Sequence, residues 1–585
     1  MTCLEVRMIQ RLDNTCNSQP SHATTRCAEA YGSRSRVGFS PKKEKGKIRL
    51  PHLQVKCDEG RPACHRCVST GRTCDGYGIW GGGDNRHPQV SATGQNNIPV
   101  SRVLAAISPR VLDAAERDCF EWFTLISAKK LRGLFGSAFW DTLVLQASFN
   151  EPAVLHAVLA LGSVQRQEMV EARDATSGLR IPDGEEQFML RQYSKAISHL
   201  VPESQAKVQP SVDAVLLTCL LFIFLEFIRG HYKTAQTHLR NGLKLIYETG
   251  SCPNAASKAG VIVKSSGHQI DKGILEAFSR IQVQVGLLRQ VNQDPLTNLL
   301  VEPRPIIGTF KSIEQARDCL DPLIKEALEL NELCRRNGDD KSEDCHLALL
   351  SRQQRVRTGP EAWSNTYSLS TVAIDTTMPF IDSFGYRLLR VYYTMTRIMM
   401  ESAVDPRSET VFDNYTDEFA SIITQADGLR RSILSNPDLG DLPPHRPDMP
   451  QSIADMGWLP PLYYTALKCR VHRLRVHAIE LLRSMPHREG IWDANIAALI
   501  AQNVMVIEEG CSHNLFPLQD HSDITKVSNG CSGPVPLTPE SFRIRDIEIE
   551  LPNNPLGNIG LKYRKRRDSG GWEIIERQVP ISVPI

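Results

Sequence analysis

Apolar residues recur at spacings of three and four along most of the chain between residues 108 and 510. This spacing places them on one face of an α-helix, so it predicts a series of amphipathic helices. The first begins with Ser108 as a candidate N-cap and Pro109 at the first helical position, a second begins at Pro152, and Gly250 is a candidate C-cap. Further helical patterns cover residues 271–290, 316–335, 380–402, 411–434, 462–484 and 492–509. Long helices joined by loops with Pro and Gly predict an all-α fold of the helical-array type.

Two segments depart from the amphipathic pattern. Residues 212–228 form the longest apolar run, but they include Asp213 and Glu226 and fall short of the ~20 residues that span a bilayer. We therefore interpret this run as a buried helix. Residues 541–552 show the clearest strand-like alternation, which predicts at most a short hairpin near the C-terminus.

Composition divides the chain into five predicted regions. Residues 1–54 are rich in Arg, Lys, Ser and Gln without sustained periodicity, which favours a basic, largely disordered segment. A cysteine-rich module at 55–77 is followed by a flexible linker with many Gly and Pro residues at 78–107. The all-α domain covers 108–510, and a partly irregular C-terminal extension covers 511–585. The predicted fold class is therefore mainly α, with a small N-terminal cysteine module.

Charge is distributed unevenly along the chain. The net charge is only +2, but the 39 residues from Arg34 to Arg72 contain eleven Lys and Arg residues against three Asp and Glu residues. Such a basic segment favours a polyanionic partner, although a solvated basic tail gives the same composition. The N-terminus lacks the apolar core of a signal peptide, so we expect a reducing compartment in which the cysteines stay free.

Four cysteines lie in the basic segment or directly after it in the pattern C-x6-C-x2-C-x6-C, namely Cys57, Cys64, Cys67 and Cys74. Four thiolates complete the tetrahedron that Zn²⁺ prefers, and a C-x2-C pair holds one edge of it across a tight turn. The residues between them include no apolar run, so metal would have to organise this segment. A catalytic zinc site needs an open position for water, which four thiolates do not leave, so the pattern argues against a zinc hydrolase.

The stretch "KCDEGRPACHRCVSTGRTCDGY" resembles the second part of the fungal Zn2Cys6 binuclear cluster, including the loop proline at Pro62. The first two cysteines of that family would fall at Lys47 and Leu50. The resemblance then implies one zinc ion for the chain as written, and two if the first half of the cluster is restored.

The same resemblance implies double-stranded DNA as a partner, with phosphate contacts from Lys56, Arg61, Arg66 and Arg72. The family's base-reading lysines correspond to Leu53 and Gln54, and leucine cannot donate to guanine O6 and N7, which puts base readout in doubt. Either the DNA-binding module has decayed, or the translated sequence is wrong at 39–54, as after a misplaced splice junction. The intact match on both sides of this segment favours the second explanation.

The body of the chain resembles the fungal-specific transcription factor domain, in residues 119–165, 231–246, 277–284 and 467–494. This resemblance implies an all-α regulatory domain that acts on the transcription machinery or on co-regulators. The leading hypothesis is a nuclear, DNA-binding regulator of RNA polymerase II genes. The alternative is an interaction protein that retains the helical domain and has lost DNA reading.

The sequence contains no G-x-S-x-G, P-loop, Rossmann or H-E-x-x-H motif, so we predict that the protein is not an enzyme. Aromatic residues cluster in two stretches of the helical region, at Phe120, Trp122, Phe123, Phe135, Phe139 and Trp140. Core packing is the default interpretation of such a cluster, and a pocket for a small-molecule effector is the alternative.

Two basic runs are candidate nuclear import signals. One contains Lys42 and Lys43, and the other contains Lys562, Arg564, Lys565, Arg566 and Arg567. Each run alone is equally typical of solvated surface charge. Combined with a predicted DNA-binding module, they indicate residence in the nucleus.

Overall fold

The computed structural model describes residues 112–135, 137–174, 184–201, 210–249, 270–289, 308–337, 343–374, 380–403, 408–435, 452–510, 538–567 and 571–581. All of them belong to one compact unit, Val103–Ile585. The predicted disordered segment, cysteine module and linker lie outside the described residues, so the predicted domain boundaries stay predictions.

Helices dominate the described residues, which confirms the prediction of a mainly α fold. They are α1 Ala114–Trp122, α2 Ala128–Arg132, α3 Val144–Asn150, α4 Pro152–Asp174, α5 Gly184–Leu200, α6 Val212–Ile228, α7 Tyr232–Glu248, α8 Lys272–Leu288, α9 Ile313–Asn337, α10 Glu343–Ile374, α11 Phe380–Ser402, α12 Thr416–Ser435, α13 Leu459–Lys468, α14 His472–Ser484 and α15 Ala494–Glu509. Short π-helical turns at Phe123–Ser127 and Phe139–Leu143 precede α2 and α3, and a 3₁₀ helix at Glu409–Tyr415 precedes α12. We call these helices together the helical body.

The first helix begins later than its sequence pattern predicts. Asp113 is the N-cap of α1, and it forms a capping box: the Glu116 amide donates to Asp113 Oδ1 over 2.8 Å, and the Asp113 amide donates to Glu116 Oε2 over 3.2 Å. The helix that contains Cys119 therefore begins at Ala114, and the predicted start at Ser108 lies outside the described residues. The predicted start of α4 at Pro152 is confirmed.

Helix α6 is apolar around its whole circumference and is buried from Ala214 onward with few exceptions, which confirms the interpretation of this run as a buried helix. It packs against α4 and α7. No described helix is long and apolar enough to cross a membrane. Gly242 of α7 lets the Phe278 ring of α8 approach closely, because a Cβ at this position would lie 2.5 Å from that ring.

The predicted helix at 462–484 is in fact two helices. Helix α13 ends at Lys468 because Cys469 is extended (φ −72°, ψ 135°), and α14 begins at His472. The break turns the side chain of Arg470 into the protein interior, where it is buried. Helical spacing persists through this stretch, so the spacing alone could not reveal the break.

A small sheet lies before α13 and around the start of α15. Strand β1 (Ser452–Ile453) pairs in parallel with β2 (Arg488–Glu489), which pairs antiparallel with β3 (Trp492–Asp493). Gly490 makes the turn between β2 and β3 with φ 58°, and a Cβ there would lie 1.9 Å from Gln284 Oε1. Glycine is the residue that meets both demands.

The C-terminal residues form a three-stranded antiparallel sheet rather than the predicted short hairpin. Its strands are β4 Ile544–Glu550, β5 Asn558–Arg566 and β6 Trp572–Pro580, in the order β4-β5-β6. One face is buried in the same hydrophobic core as the helices, through Ile544, Ile547, Ile549, Leu551, Ile559, Leu561, Tyr563 and Val579. We call this element the C-terminal sheet.

Candidate functional site

The predicted zinc ligands Cys57, Cys64, Cys67 and Cys74, the predicted DNA contacts Lys56, Arg61, Arg66 and Arg72, and the import candidates Lys42 and Lys43 all lie outside the described residues. They stay predictions. Within the described part of the chain, no three His, Cys, Asp or Glu side chains are grouped so that they could hold a metal ion.

The other candidate import signal lies on β5, the central strand of the C-terminal sheet, except for Arg567, which follows that strand. Lys562 is 3.6 Å from Glu576, Arg564 is 3.8 Å from Asp546, and Arg567 lies 3.5 Å from Glu573. Lys565 lies over the Phe542 ring, with Nζ 5.5 Å from its centroid. The strand is paired with a neighbour on both sides. A receptor that binds the folded protein would therefore contact these side chains and not an extended backbone, and the import role stays a prediction.

Arg543 fixes the start of the C-terminal sheet to the helical body. Its Nη1 and Nη2 donate to the two carboxylate oxygens of Asp413 over 2.9 and 2.8 Å, and Nη1 also donates to the Glu409 carbonyl over 2.8 Å. The guanidinium is buried, and its Nε donates to the Thr538 carbonyl. Two-pronged pairing of this kind sets orientation as well as distance, so it defines where β4 begins.

Next to this anchor lies a buried charge cluster, which we define as Glu409, Lys468, Arg470, Arg475, Glu508 and Glu509. Arg470 bridges two acids, with Nη2 3.1 Å from Glu409 Oε2 and 2.8 Å from Glu508 Oε1. Glu508 also accepts the Ile544 amide of β4 over 2.7 Å. The cluster thus joins the loop between α13 and α14, the end of α15 and the first strand of the C-terminal sheet.

The Glu409 carboxyl titrates below its ordinary range. Burial by itself would raise its pKa, but the positive charges of Lys468 and Arg470 outweigh burial and lower the pKa overall. A carboxyl with a lowered folded-state pKa stabilises the protein above its unfolded pKa, and this contribution is lost as the pH falls through the folded pKa.

Acid is therefore expected to destabilise the protein through Glu409. The urea midpoint should fall as the pH drops below the ordinary carboxyl range, and Glu409→Gln should be less stable at pH 6 while losing less on acidification. Urea unfolding followed by circular dichroism measures both effects. Glu480→Gln, at an exposed position on α14, is the matched control and should follow the parent at every pH. Parallel acid profiles for parent and Glu409→Gln would contradict this role.

A second buried carboxylate, Glu489 of β2, lies at the start of α13. It accepts the amides of Gly457 over 2.7 Å, Trp458 over 2.9 Å and Leu459 over 3.2 Å, and it lies 2.8 Å from His487 Nε2. Amides at a helix start have no helical partner, so an anion there satisfies them and the helix dipole together. The small sheet and α13 are thereby fixed to each other.

Several residues of the aromatic cluster are core residues, which confirms the default interpretation. Phe120 and Phe123 are fully buried, and Phe135, Phe139 and Trp140 are buried with them in one hydrophobic cluster. Burial also raises the pKa of the Cys119 thiol to about 12 and that of Cys469 to about 11. Both thiols are therefore protonated packing groups at neutral pH.

Sequence reasoning missed the residues that join the C-terminal sheet to the helical body. Arg470, Arg475 and Glu508 are charged residues in amphipathic patterns, where the ordinary expectation is a solvated face. One available signal is the alternation of Ile559, Leu561 and Tyr563, which leads into the basic run at 562–567. Alternation of this kind indicates a strand with one buried face.

Comparison with known proteins finds similarity to transcription regulators. Residues 118–265 match the family described as the fungal specific transcription factor domain. Over 551 residues the chain is 22% identical to the aspercryptin biosynthesis cluster-specific transcription regulator atnN of Emericella nidulans, an alignment that covers 78% of this chain and 86% of that protein. No solved structure matches the chain.

Two further relatives are matched over shorter lengths. The transcription regulator lscL of Purpureocillium lilacinum is 29% identical over 233 residues, which cover 38% of this chain and 53% of that protein. An uncharacterized transcriptional regulatory protein of Schizosaccharomyces pombe is 25% identical over 127 residues, which cover 19% of this chain and 22% of that protein. The matched residues therefore span about half of lscL and 22% of the Schizosaccharomyces pombe protein.

These matches indicate the class of protein. Residues 118–265 are similar to the fungal-specific transcription factor domain, and the relatives that the chain matches are named as transcription regulators, which confirms the resemblance seen in the sequence. The family match covers two of the stretches that carried the resemblance, 119–165 and 231–246. Transcription regulators are in general not enzymes, in agreement with the lack of a catalytic motif in the sequence.

Proposed function

We propose that this protein is a nuclear, DNA-binding regulator of genes transcribed by RNA polymerase II. The observation that supports it most is the cysteine spacing inside a basic segment, followed in the same chain by a fungal-specific transcription factor domain. In this proposal the N-terminal module binds DNA, and the helical body contacts the transcription machinery or co-regulators. The basic runs at 42–43 and 562–567 serve nuclear import.

The proposed module binds one zinc ion through Cys57, Cys64, Cys67 and Cys74. Four thiolates suit the ion chemically and leave no position for a reactive water, so zinc would act in folding alone. Folding would hold Lys56, Arg61, Arg66 and Arg72 together on one small module. Four positive side chains can neutralise phosphates on one duplex.

Metal analysis of the full chain should find one zinc per protein, lost in the Cys64→Ser/Cys67→Ser variant. The same variant should lose affinity for a duplex of about 20 base pairs, because its basic residues are no longer held together. Inductively coupled plasma mass spectrometry and fluorescence anisotropy make the two measurements. Cys3→Ser/Cys16→Ser is the matched control and should keep both zinc and affinity.

Salt dependence should show that the affinity comes from phosphate contacts. The logarithm of the binding constant is expected to fall with log salt concentration at a slope near −4, since about four phosphates are neutralised. Arg61→Ala/Arg72→Ala should flatten this slope by about two. Lys244→Ala/Arg336→Ala, two exposed positions of the helical body, should leave it unchanged. Absence of zinc and of salt-dependent binding would refute the proposal.

Leu53 and Gln54 favour a second candidate, an interaction protein that keeps the regulatory domain and reads no DNA sequence. Sequencing the transcript across codons 30–60 separates the two candidates. A transcript that restores C-x2-C-x6 before Cys57 supports the DNA-binding regulator with two zinc ions. One that encodes Lys47, Leu50, Leu53 and Gln54 supports the interaction protein, whose partners are then sought through the helical body.

A further inference from the structure

Strand β6 is an edge strand whose outward-facing backbone groups can be identified from its pairing. The Arg567 amide donates to the Gly571 carbonyl over 2.7 Å, and β5 and β6 keep one register over nine residue pairs. Because hydrogen-bonded and non-bonded positions alternate in an antiparallel pair, the odd-numbered residues of β6 point their backbone groups toward β5. The backbone groups of Trp572, Ile574, Glu576 and Gln578 therefore point away from β5, to the edge of the sheet.

The two edges of the C-terminal sheet differ in their backbone contacts. At the β4 edge, the Ile549 amide donates to the Arg289 carbonyl over 2.8 Å, and the Ile544 amide donates to Glu508. A bulge between Arg545 and Glu548 also interrupts the register there. At the β6 edge no strand of the described residues is paired and no bulge interrupts the register. Natural sheets protect edges by covering or bulging them, and among the described residues only the β4 edge is covered or bulged.

The side chains of β6 leave its edge accessible. Ile574 is 57% exposed, and Glu576 and Gln578 are exposed beside it. Strand β6 contains no proline before Pro580, which is its last residue, so its outward amides are available over most of its length. The opposite face of the sheet is buried in the core of the helical body, and Val579 is the residue of β6 that is buried there.

We propose that β6 pairs antiparallel with β6 of a second copy of this chain, about a two-fold axis at Ile575. The outward groups belong to even-numbered residues, so an even residue must face an even residue. An axis at Ile575 meets this condition and pairs Ile574 with Glu576 and Trp572 with Gln578. The two-fold axis repeats each pair, so there are four pairs. With two bonds in each pair, they give about eight main-chain hydrogen bonds.

Charge selects this register among its neighbours. With the axis at Ile575, Glu573 of each copy faces Arg577 of the other, so two opposite-charge pairs form across the interface. An axis at Glu576 would set Glu576 against its own copy. An axis at Ile574 would leave both Glu573 and Arg577 without an opposite charge. The occupant that fits the edge best is therefore a second β6, and the resulting sheet has six strands.

Sedimentation equilibrium of the full chain tests the proposal. The parent should show twice the chain mass at micromolar concentrations. Ile574→Pro removes one outward amide without touching the bonds to β5, and it should return the mass to that of one chain. The matched control is Leu434→Ser, which changes an exposed apolar residue on α12 and should remain dimeric. Proline is not used at this position because it would break the helix.

Charge-reversal variants test whether Glu573 of one copy faces Arg577 of the other. Glu573→Arg alone and Arg577→Glu alone each put two like-charge pairs across the interface and should raise the dimer dissociation constant at least about tenfold. An equal mixture of the two variants should dimerise again, because in a mixed pair the introduced arginine of one copy faces the introduced glutamate of the other. Damage within one copy, such as loss of the contact between Glu573 and Arg567, cannot be repaired by mixing.

Three results would overturn the proposal: a parent that stays monomeric up to about 100 μM, an Ile574→Pro variant with the parent's mass, or a mixture no more dimeric than its components. Monomeric parent protein would indicate that the edge is covered by another part of the chain or reserved for another protein. The concentration limit corresponds to weak association, about −5.5 kcal/mol. The test does not depend on zinc or DNA binding.

Discussion

Replacing Glu489 with alanine is expected to lower the free energy of unfolding by about 3–5 kcal/mol, the usual cost of leaving buried polar groups without their charged partner. The carboxylate accepts the amides of Gly457, Trp458 and Leu459, and it is fully buried. Alanine would leave these amides and His487 without an acceptor in the core. Urea unfolding, followed by circular dichroism, measures the loss.

Two matched variants show which property of Glu489 matters. Glu489→Gln keeps the shape and one acceptor oxygen, so it should cost less, about 1–3 kcal/mol. Glu480→Ala, at an exposed position of α14, should stay within about 0.5 kcal/mol of the parent. If Glu489→Ala unfolds at the parent's urea concentration, the carboxylate does not hold the start of α13.

The positions of long helices could be predicted from hydrophobic spacing because one face of each contacts the core. The pattern at 380–402 coincides with α11 at both ends, and the pattern at 271–290 differs from α8 by no more than two residues. The pattern at 462–484 failed because Cys469 interrupts the helix while the apolar spacing continues. The break accompanies contacts of Arg470 with two acids that are distant in the sequence, Glu409 and Glu508, which a local pattern does not contain.

The C-terminal sheet could not be predicted in full because its strands depend on contacts far along the chain. Strand β5 carries most of the basic run, and the run looks like solvated charge unless Tyr563 is placed on a buried face. The residues before β5 contact helix α7, which lies more than three hundred residues earlier, through the Lys233–Glu550 ion pair and the contacts of Thr234 with Asn553. Pattern analysis within a short window cannot contain such information.

The sequence alone predicts the zinc and DNA part of the candidate site, and the structure alone reveals the edge of β6. The zinc and DNA predictions rest on cysteine spacing and basic charge at 56–74, and they concern residues outside the described ranges. The edge of β6 was invisible in sequence, because it depends on which backbone groups point away from β5. Residues 562–566 supply import candidates and also form part of β5, the strand with which β6 is paired.

A chain that ends at residue 537 is expected to lose cooperative folding, because the C-terminal sheet is part of the common core. Truncation removes eight buried apolar side chains, each contributing about 1.5–3 kcal/mol of burial, and it uncovers the helical surface they contact. It also takes Arg543 away from Asp413. The total stability of a domain is about 5–15 kcal/mol, so a loss of this size should leave insoluble or partly folded protein. Soluble yield and thermal unfolding measure it.

A point variant tests the same attachment without removing residues. Arg543→Met should cost about 3 kcal/mol, since it leaves Asp413 with a half-buried charge and the Glu409 carbonyl without its donor. Arg567→Met, at an exposed position directly after β5, should stay within about 0.5 kcal/mol of the parent. A truncated chain that unfolds cooperatively at the parent's temperature would mean that the helical body folds without the sheet. The buried hydrogen bond from the Ile544 amide to Glu508 argues against that result. Removal of β4 would leave this carboxylate, near the end of α15, without one of its donors.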